Sequence, residues 1–155
     1  IEAMWFVKNP FDYTTKNQVI RVFEDMQYSL ADEESLNNFF NKSYTVTSKS
    51  DRMGYRLEGS KIKFKEKIEM ISGEVSLGTI QVPPDGNPII LLADRQTAGG
   101  YPKFVHVIKA DIPLLAQLPP NSTIKFKKVS IYEGENLYYN NYKYLNEIKN
   151  RINLL

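Results

Sequence analysis

A run of short apolar segments separated by glycine and proline turns fills the middle of the chain, and this pattern restricts the fold most strongly. Two of these segments, Gly78–Val82 and Ile89–Ala93, flank the turn Pro83–Pro88. The Asp85-Gly86 pair in that turn predicts a hairpin, because glycine accepts the positive φ of tight turns. Ile89–Ala93 is apolar throughout, which predicts a central strand buried on both faces. We therefore expect a mainly β chain.

Other segments extend the β pattern. Further strands are predicted at Val19–Phe23, Tyr44–Thr47, Lys61–Met70, Phe104–Ile108 and Ile124–Ile131. In Lys61–Met70 a period of two separates an apolar face from a face of four lysines, and we interpret the lysine face as a solvated or edge-protecting surface rather than an anion site. The alternation of the last segment slips at Lys127-Lys128, and a β-bulge would explain this slip.

Helical spacing occurs in three places. Asp32 is a predicted N-cap of a short amphipathic helix that reaches Phe40. Ile112–Leu118 predicts a second short helix, which two prolines end. From Leu137 onward, tyrosine and aliphatic residues recur at helical spacing, which predicts a C-terminal helix that packs on the domain or on a partner.

Composition excludes several kinds of chemistry. The 155 residues contain no cysteine and a single histidine, His106, so disulfides, thiol nucleophiles, and cysteine-ligated or histidine-rich metal sites are excluded. His106 itself is interpreted as a strand residue with a satisfied imidazole rather than a base. A net charge of +2 is too small to indicate nucleic acid or a membrane surface. The sequence shows no signal-peptide or membrane-spanning pattern. We therefore expect a cytoplasmic protein that binds neither nucleic acid nor a membrane.

A polar segment follows the apolar strand Ile89–Ala93. It runs Asp94-Arg95-Gln96-Thr97, then Gly99-Gly100-Tyr101 after an alanine. A carboxylate, a guanidinium and a carboxamide in succession are costly to bury unless each is paired, and the two glycines allow a sharp turn or a close approach to a ligand. Either this segment is a site, or it is a connection whose charges pair with each other or with neighbouring loops.

A second polar segment, Asp51–Gly59, has the same character. Arg52 and Arg56 flank Tyr55 and could hold a carboxylate or phosphate in bidentate fashion. As strand residues sharing one face they could equally be solvated. Gln81, within a predicted strand, is a third candidate. No phosphate-binding loop, dinucleotide fingerprint, hydrolase elbow or zinc-protease motif occurs.

Four segments, in this order, carry a resemblance to a known family. Asp51–Gly59, Gly78–Gly86, Leu92–Lys103 and Leu115–Leu118 resemble the biotin-dependent carboxyltransferase-like family, which includes the C subunit of 5-oxoprolinase (allophanate hydrolase subunit 2) and the carboxyltransferase region of urea carboxylase. The resemblance implies a cyclophilin-like β-barrel with short flanking helices. Its members usually have two halves, of which this chain resembles the second. Residues 1–18 would be a remnant of the connection between halves, 19–133 the family domain, and 134–155 a C-terminal amphipathic helix.

The resemblance also implies a function. The chain would belong to an ATP-dependent 5-oxoprolinase that opens 5-oxoproline to L-glutamate with the A and B subunits, the latter resembling kinase inhibitors. Without its preceding half, the isolated chain is expected to be inactive. In this hypothesis Asp94 or Gln96 accepts the substrate N–H, and Arg95, or Arg52 with Arg56, holds a carboxylate or a developing oxyanion. The substrate-binding candidates are Arg52, Tyr55, Arg56, Gln81, Thr97, Gly99, Gly100 and Tyr101.

Two other functions remain open at this point. One is carboxyl transfer from carboxybiotin to urea or a similar amide, and biotin belongs only to this alternative. The other is a non-catalytic module that binds a kinase-inhibitor partner. No metal or directly bound cofactor is expected. ATP, which the assembled complex would use, should bind elsewhere, since the chain carries no phosphate loop.

Overall fold

The computed structural model describes residues 17–152, which contain nine strands and three α-helices. The strands are β1 (Asn17–Glu24), β2 (Tyr44–Val46), β3 (Gly54–Glu58), β4 (Gly73–Glu74), β5 (Thr79–Gln81), β6 (Ile89–Leu91), β7 (Ala98–Gly99), β8 (Lys103–Val107) and β9 (Thr123–Lys128). The helices are α1 (Glu33–Asn41), α2 (Ile112–Leu115) and α3 (Ile131–Ile152). The predicted N-terminal extension lies outside the described residues except for its last two, which begin β1.

Seven strands form a closed barrel in the order β1-β8-β5-β6-β3-β2-β9, while β4 and β7 form a separate two-stranded ribbon. Neighbours in the barrel are antiparallel except β1 and β9, whose parallel pairing closes it. Closure leaves no free edge among these seven strands. The mainly β barrel and the hairpin between β5 and β6 are confirmed, and Gly86 has the positive φ, +80°, that the turn requires.

The predicted β-bulge at Lys127-Lys128 is wrong. The pairing of β1 with β9 runs without a shift from Asn17–Thr123 to Val22–Lys128, and β9 ends there. The slip in alternation therefore marks the end of the strand, since α3 begins at Ile131. The irregularity of the barrel lies instead at Ile80/Gln81, where β5 pairs with β8.

The strand predicted at Lys61–Met70 is also wrong. This segment is irregular apart from a single bridge between Phe64 and Ala31. Its backbone bonds to α1 and to the short 3-10 helix before it rather than to a neighbouring strand: the Lys63 N–H donates to Ser35 Oγ at 2.9 Å, and the Lys65 N–H donates to the Leu30 carbonyl at 2.9 Å. The period of two instead reflects an extended, half-buried segment that lies on the core, in which Ile62 is buried and the lysines are exposed.

Aromatic side chains fill the part of the core beneath α1. The ring of Phe39 lies 4.4 Å from that of Phe126 and 5.0 Å from that of Phe104, and Tyr44 packs against both Phe39 and Phe126. Burial of side chains of this size contributes about 1.5–3 kcal/mol each. The predicted N-cap is confirmed, since Asp32 Oδ1 accepts the Ser35 N–H at 2.7 Å.

A buried ion pair ties β1 to the turn before α2. The Asp111 carboxylate, 1% exposed, accepts hydrogen bonds from the backbone N–H of Arg21 at 2.7 Å and from its guanidinium. This pairing satisfies a carboxylate that could not be buried alone.

Both remaining helix predictions are confirmed with changed bounds. α2 is a single turn, shorter than predicted. α3 begins at Ile131 and packs on the barrel near Ile108, where a Cβ added to Gly134 would lie 2.8 Å from Ile108 Cγ2. The predicted end of this helix at residue 155 lies outside the described residues. Of the helices within 17–152, none has an apolar stretch long enough to cross a bilayer.

Candidate functional site

An open groove of about 790 Å³ lies on the face of β3, β6 and β5 that points away from the core. Alternation along the strands turns Tyr55, Ile80 and Ile90 toward the core and their neighbours toward the groove. Arg56 pairs with Ile89, which pairs with Gln81 on its other side. These side chains therefore form one row across three strands.

Gln81 forms the base of the groove. Its side chain is 1% exposed, and its Nε2 donates to the Tyr101 carbonyl at 3.1 Å. That bond fixes the direction of the amide, so that Oε1 is its acceptor end. A buried amide oxygen with a fixed direction and a spare lone pair can accept an N–H from a ligand.

The ribbon of β4 and β7 covers the amide of Gln81. Gly99 pairs with Gly73, and the Val75 N–H donates to the Thr97 carbonyl at 3.1 Å, which continues the ribbon. A Cβ added to Gly99 would lie 2.7 Å from Gln81 Nε2 and 3.1 Å from its Oε1. Only a glycine lets the ribbon approach the amide this closely.

Charged groups around the groove divide into those that hold turns and those that face its opening. Asp51 Oδ1 accepts the N–H groups of Met53 and Gly54, at 2.8 and 3.1 Å. Asp85 accepts hydrogen bonds from the side chain and backbone N–H of Asn87, which lower the pKa of Asp85. Arg56 is exposed at the opening, where its guanidinium remains available to an anion.

A second, mostly apolar cleft of about 410 Å³ lies between the end of β6 and α2. Tyr55 faces it and donates its hydroxyl to the Leu118 carbonyl at 3.1 Å, and burial raises the pKa of Tyr55. At its rim, Arg52 Nε lies 2.8 Å from Asp94 Oδ2. These two side chains are 83% and 50% exposed, so their ion pair contributes about 0–1 kcal/mol.

The structure divides the predicted site residues between these places. Arg56, Gln81, Gln96 and Tyr101 line the groove, with Gly99 against its base. Arg52, Tyr55 and Asp94 lie at the second cleft, while Thr97 and Gly100 are exposed near the ribbon. Arg95 folds back, with Nη1 3.5 Å from the Leu92 carbonyl, and its buried Nε has no partner among the described residues.

Arg52 does not share the strand face of Arg56, because β3 begins only at Gly54. Arg52 lies in the turn that Asp51 holds and meets Asp94 there, since the Asp94 N–H donates to the Arg52 carbonyl at 3.0 Å. The pairing of Asp94 with a neighbouring loop is the structural alternative that the sequence left open.

His106 has a satisfied imidazole, as predicted. Its Nδ1 lies 3.3 Å from Thr79 Oγ1 and 3.7 Å from Asp25 Oδ2, and its ring stacks on Phe23. Both polar partners face the same ring nitrogen, so the imidazole does not link a carboxylate to a hydroxyl through its two nitrogens as a catalytic triad does. Sequence analysis missed this cluster, because Asp25 is distant in the chain.

Within residues 17–152 no group of three or more histidine, cysteine or acidic side chains is placed to hold a metal ion. The helix N-termini there do not suit a phosphate either. At the start of α1, the Asp32 side chain accepts a backbone N–H, and Glu33 and Glu34 lie in the first turn. Glu133 lies in the first turn of α3. Carboxylates at these positions repel the anions that such ends otherwise attract.

The closed seven-stranded barrel with a groove on one face is the fold of a domain whose class the comparisons with known proteins give. Residues 2–128 match the family model described as the carboxyltransferase domain, subdomain A and B, and the chain therefore belongs to this family. It is 44% identical over 131 residues to the C subunit of 5-oxoprolinase from Haemophilus influenzae, covering 84% of this chain and 42% of that protein. For the Escherichia coli protein of the same name, identity is 35% over 133 residues, with coverages of 86% and 43%. The chain thus spans less than half the length of these relatives.

Solved structures agree with the family assignment. The crystal structure of the Kluyveromyces lactis urea carboxylase superposes with a TM-score of 0.74 at 28% identity, covering 79% of this chain and 12% of that one. The urea amidolyase of K. lactis gives the same TM-score and identity over 79% of this chain and 8% of that protein. The resemblance stated from the sequence is confirmed.

Proposed function

We propose that this chain is part of the C subunit of a 5-oxoprolinase, and that its groove binds 5-oxoproline while partner subunits take part in opening the ring to L-glutamate. The observation that carries this proposal is the 44% identity to a protein of that name over 84% of the chain. The geometry of the groove supports it, because the polar groups there suit a cyclic amide that bears a carboxylate.

Gln81 is the proposed amide-recognition residue. In 5-oxoproline a ring N–H lies beside a carbonyl, and Gln81 Oε1 can accept that N–H, since Nε2 is already committed to the Tyr101 carbonyl. This assigns to Gln81 the acceptor role that sequence reasoning gave to Asp94 or Gln96. Asp94 is instead bound to Arg52 at the other cleft.

Arg56 and Gln96 complete the proposed contacts. Arg56 and Gln81 lie on the two strands that flank Ile89 and pair with it. The Arg56 guanidinium can hold the substrate carboxylate in bidentate fashion. Gln96 lines the same groove and can donate its side-chain N–H to the carbonyl oxygen as negative charge develops there. In the reaction water adds to the carbonyl carbon, the ring C–N bond breaks, and the nitrogen gains a proton.

ATP is proposed to bind to the partner subunits. The helix N-termini of residues 17–152 carry carboxylates rather than a phosphate cradle. The contribution of this chain is therefore to bind and orient the amide.

Reconstitution tests the proposal. The full-length protein that contains this chain is co-expressed with the A and B subunits, and L-glutamate release from 5-oxoproline is measured with and without ATP. We expect ATP-dependent release that falls about 10²–10³-fold for Gln96→Ala, the proposed oxyanion donor, and that falls clearly for Gln81→Ala and Arg56→Ala. Gln117→Ala, an exposed glutamine outside both clefts, is the matched control. Release that does not need ATP, or that survives all three substitutions, contradicts the assignment.

Carboxyl transfer is a second candidate, favoured by the TM-score of 0.74 to a urea carboxylase. A groove that recognises N–H beside C=O could hold urea or the ureido ring of biotin as well as a lactam. Supplying the same complex with carboxybiotin and urea separates the two functions. Carboxylated urea without glutamate release from 5-oxoproline would select this candidate.

A further inference from the structure

A seam of seven exposed positions runs the length of α3. Successive members are separated alternately by four and three residues, the spacing of a coiled-coil contact row. The members are Ile131, Glu135, Tyr138, Tyr142, Leu145, Lys149 and Ile152. The five apolar members are 40–60% exposed, which is unusual for a regularly spaced row of large hydrophobic residues.

The α3 seam is not the face by which α3 packs on the barrel. The packing face is marked by Gly134, whose added Cβ would touch Ile108, and by Leu137, which contacts the same cluster. At 100° per residue these positions point to one side of the seam. Tyr138 lies at the border, where Lys109 Nζ sits 4.5 Å from the centre of its ring. Among residues 17–152 the seam is therefore left uncovered while the helix is anchored on the barrel.

The order of residues along the α3 seam is self-complementary about Tyr142. Glu135 lies seven residues before Tyr142, and Lys149 lies seven after it. Ile131 and Ile152 occupy the two ends. When two such helices pair antiparallel and cross at Tyr142, each Glu135 faces Lys149 of the other copy and each Ile131 faces Ile152. Parallel pairing would instead place Glu135 against Glu135 and Lys149 against Lys149.

We propose that α3 pairs antiparallel with α3 of a second copy of this chain and forms a two-fold symmetric dimer. Charge complementarity favours a second copy as the partner. A two-fold interface brings the same patch of both copies together, and in the antiparallel arrangement the acidic end of this patch meets its basic end. The packing of α3 on Ile108 favours association, since the helix is already formed and need not be nucleated on binding. The family match ends at residue 128, three residues before α3 begins. The α3 seam therefore lies outside the stretch that the family model matches.

Sedimentation velocity on the full chain over a range of concentrations tests the proposal. We expect twice the mass of one chain for the wild type, and self-association weakened roughly tenfold or more for Glu135→Lys and for Lys149→Glu, because two attractive charge pairs become repulsive. Mixing these two variants should restore the dimer, since the introduced lysine of one copy then faces the introduced glutamate of the other, and the unchanged Lys149 faces the unchanged Glu135. Lys143→Glu makes the same charge change on an exposed position outside the seam and should leave the dimer intact.

Each outcome of this experiment decides the proposal. Circular dichroism first establishes that the variants keep their helical content. A wild type that is monomeric at every concentration overturns the proposal and leaves the seam to a different protein. Glu135→Lys dimers as stable as the wild type, or a mixture of the two variants that stays monomeric, overturn the antiparallel register.

Discussion

Replacing Gly99 by alanine perturbs the groove at its most crowded point. The added Cβ would lie 2.7 Å from Gln81 Nε2, whereas ordinary contact begins at 3.4 Å. The ribbon or the amide must therefore move by about 0.7 Å or more. Gln81 is 1% exposed and bonded to the Tyr101 carbonyl, so a movement of its side chain would lengthen or break that hydrogen bond.

The consequence for function follows from that displacement. A misplacement of about 1 Å in a binding group costs about 10²-fold in rate. We therefore expect Gly99→Ala to lower kcat/KM for 5-oxoproline about 10²-fold in the reconstituted complex. Overpacking of this kind costs about 1–3 kcal/mol of folding stability, so the variant should still fold.

Gly73→Ala provides the matched control. Gly73 pairs directly with Gly99 in the ribbon, yet its added Cβ would meet only the Ile71 carbonyl oxygen at 3.9 Å. Both variants lose backbone freedom to a similar degree, and only one of them crowds the Gln81 amide. Thermal unfolding and the side-chain amide NMR signals of Gln81 give readouts that do not depend on turnover. Wild-type kinetics in Gly99→Ala, or an equal loss in Gly73→Ala, would refute the reasoning.

Three further predictions concern stability. Asp111→Ala should lower the free energy of unfolding by about 3–5 kcal/mol in urea titrations, because it strands the partly buried Arg21 guanidinium; a loss under about 1 kcal/mol would contradict this. Burial acts to raise the pKa of Asp25, but contacts with His106 and the Met26 N–H hold it below 3.8. Asp25 therefore stabilises the fold above pH 3.8, and this contribution is lost as the pH falls. In Asp25→Asn the free energy of unfolding should consequently depend less steeply on pH in the acid range than in the wild type. Burial raises the pKa of Tyr44 to about 12, so Tyr44 favours folding below pH 10 and loses this contribution between about pH 10 and 12; absorbance titration showing ionisation of Tyr44 near pH 10 would contradict it.

Local patterns predicted most of the fold because they report burial directly. The cap at Asp32, the turn at Gly86 and the apolar β6 are each determined by residues close in sequence. Lys61–Met70 shows the limit of that logic. Alternating burial arises whenever an extended segment lies on a core, and only its hydrogen-bond partners decide whether it is a strand.

The division of the site has the same origin. Tyr55 and Arg56 are neighbours in sequence, yet strand alternation sends Tyr55 to the second cleft and Arg56 to the groove. Arg56 and Gln81 are distant in sequence, yet both pair with Ile89. Closeness in sequence therefore suggested groupings, such as Tyr55 with Arg56, that the barrel separates. The residues that do lie together in the groove are brought there by the pairing register of three strands. Gln81 was the strongest signal available, because a glutamine inside a buried strand must bond to something, and its Nε2 donates to the Tyr101 carbonyl.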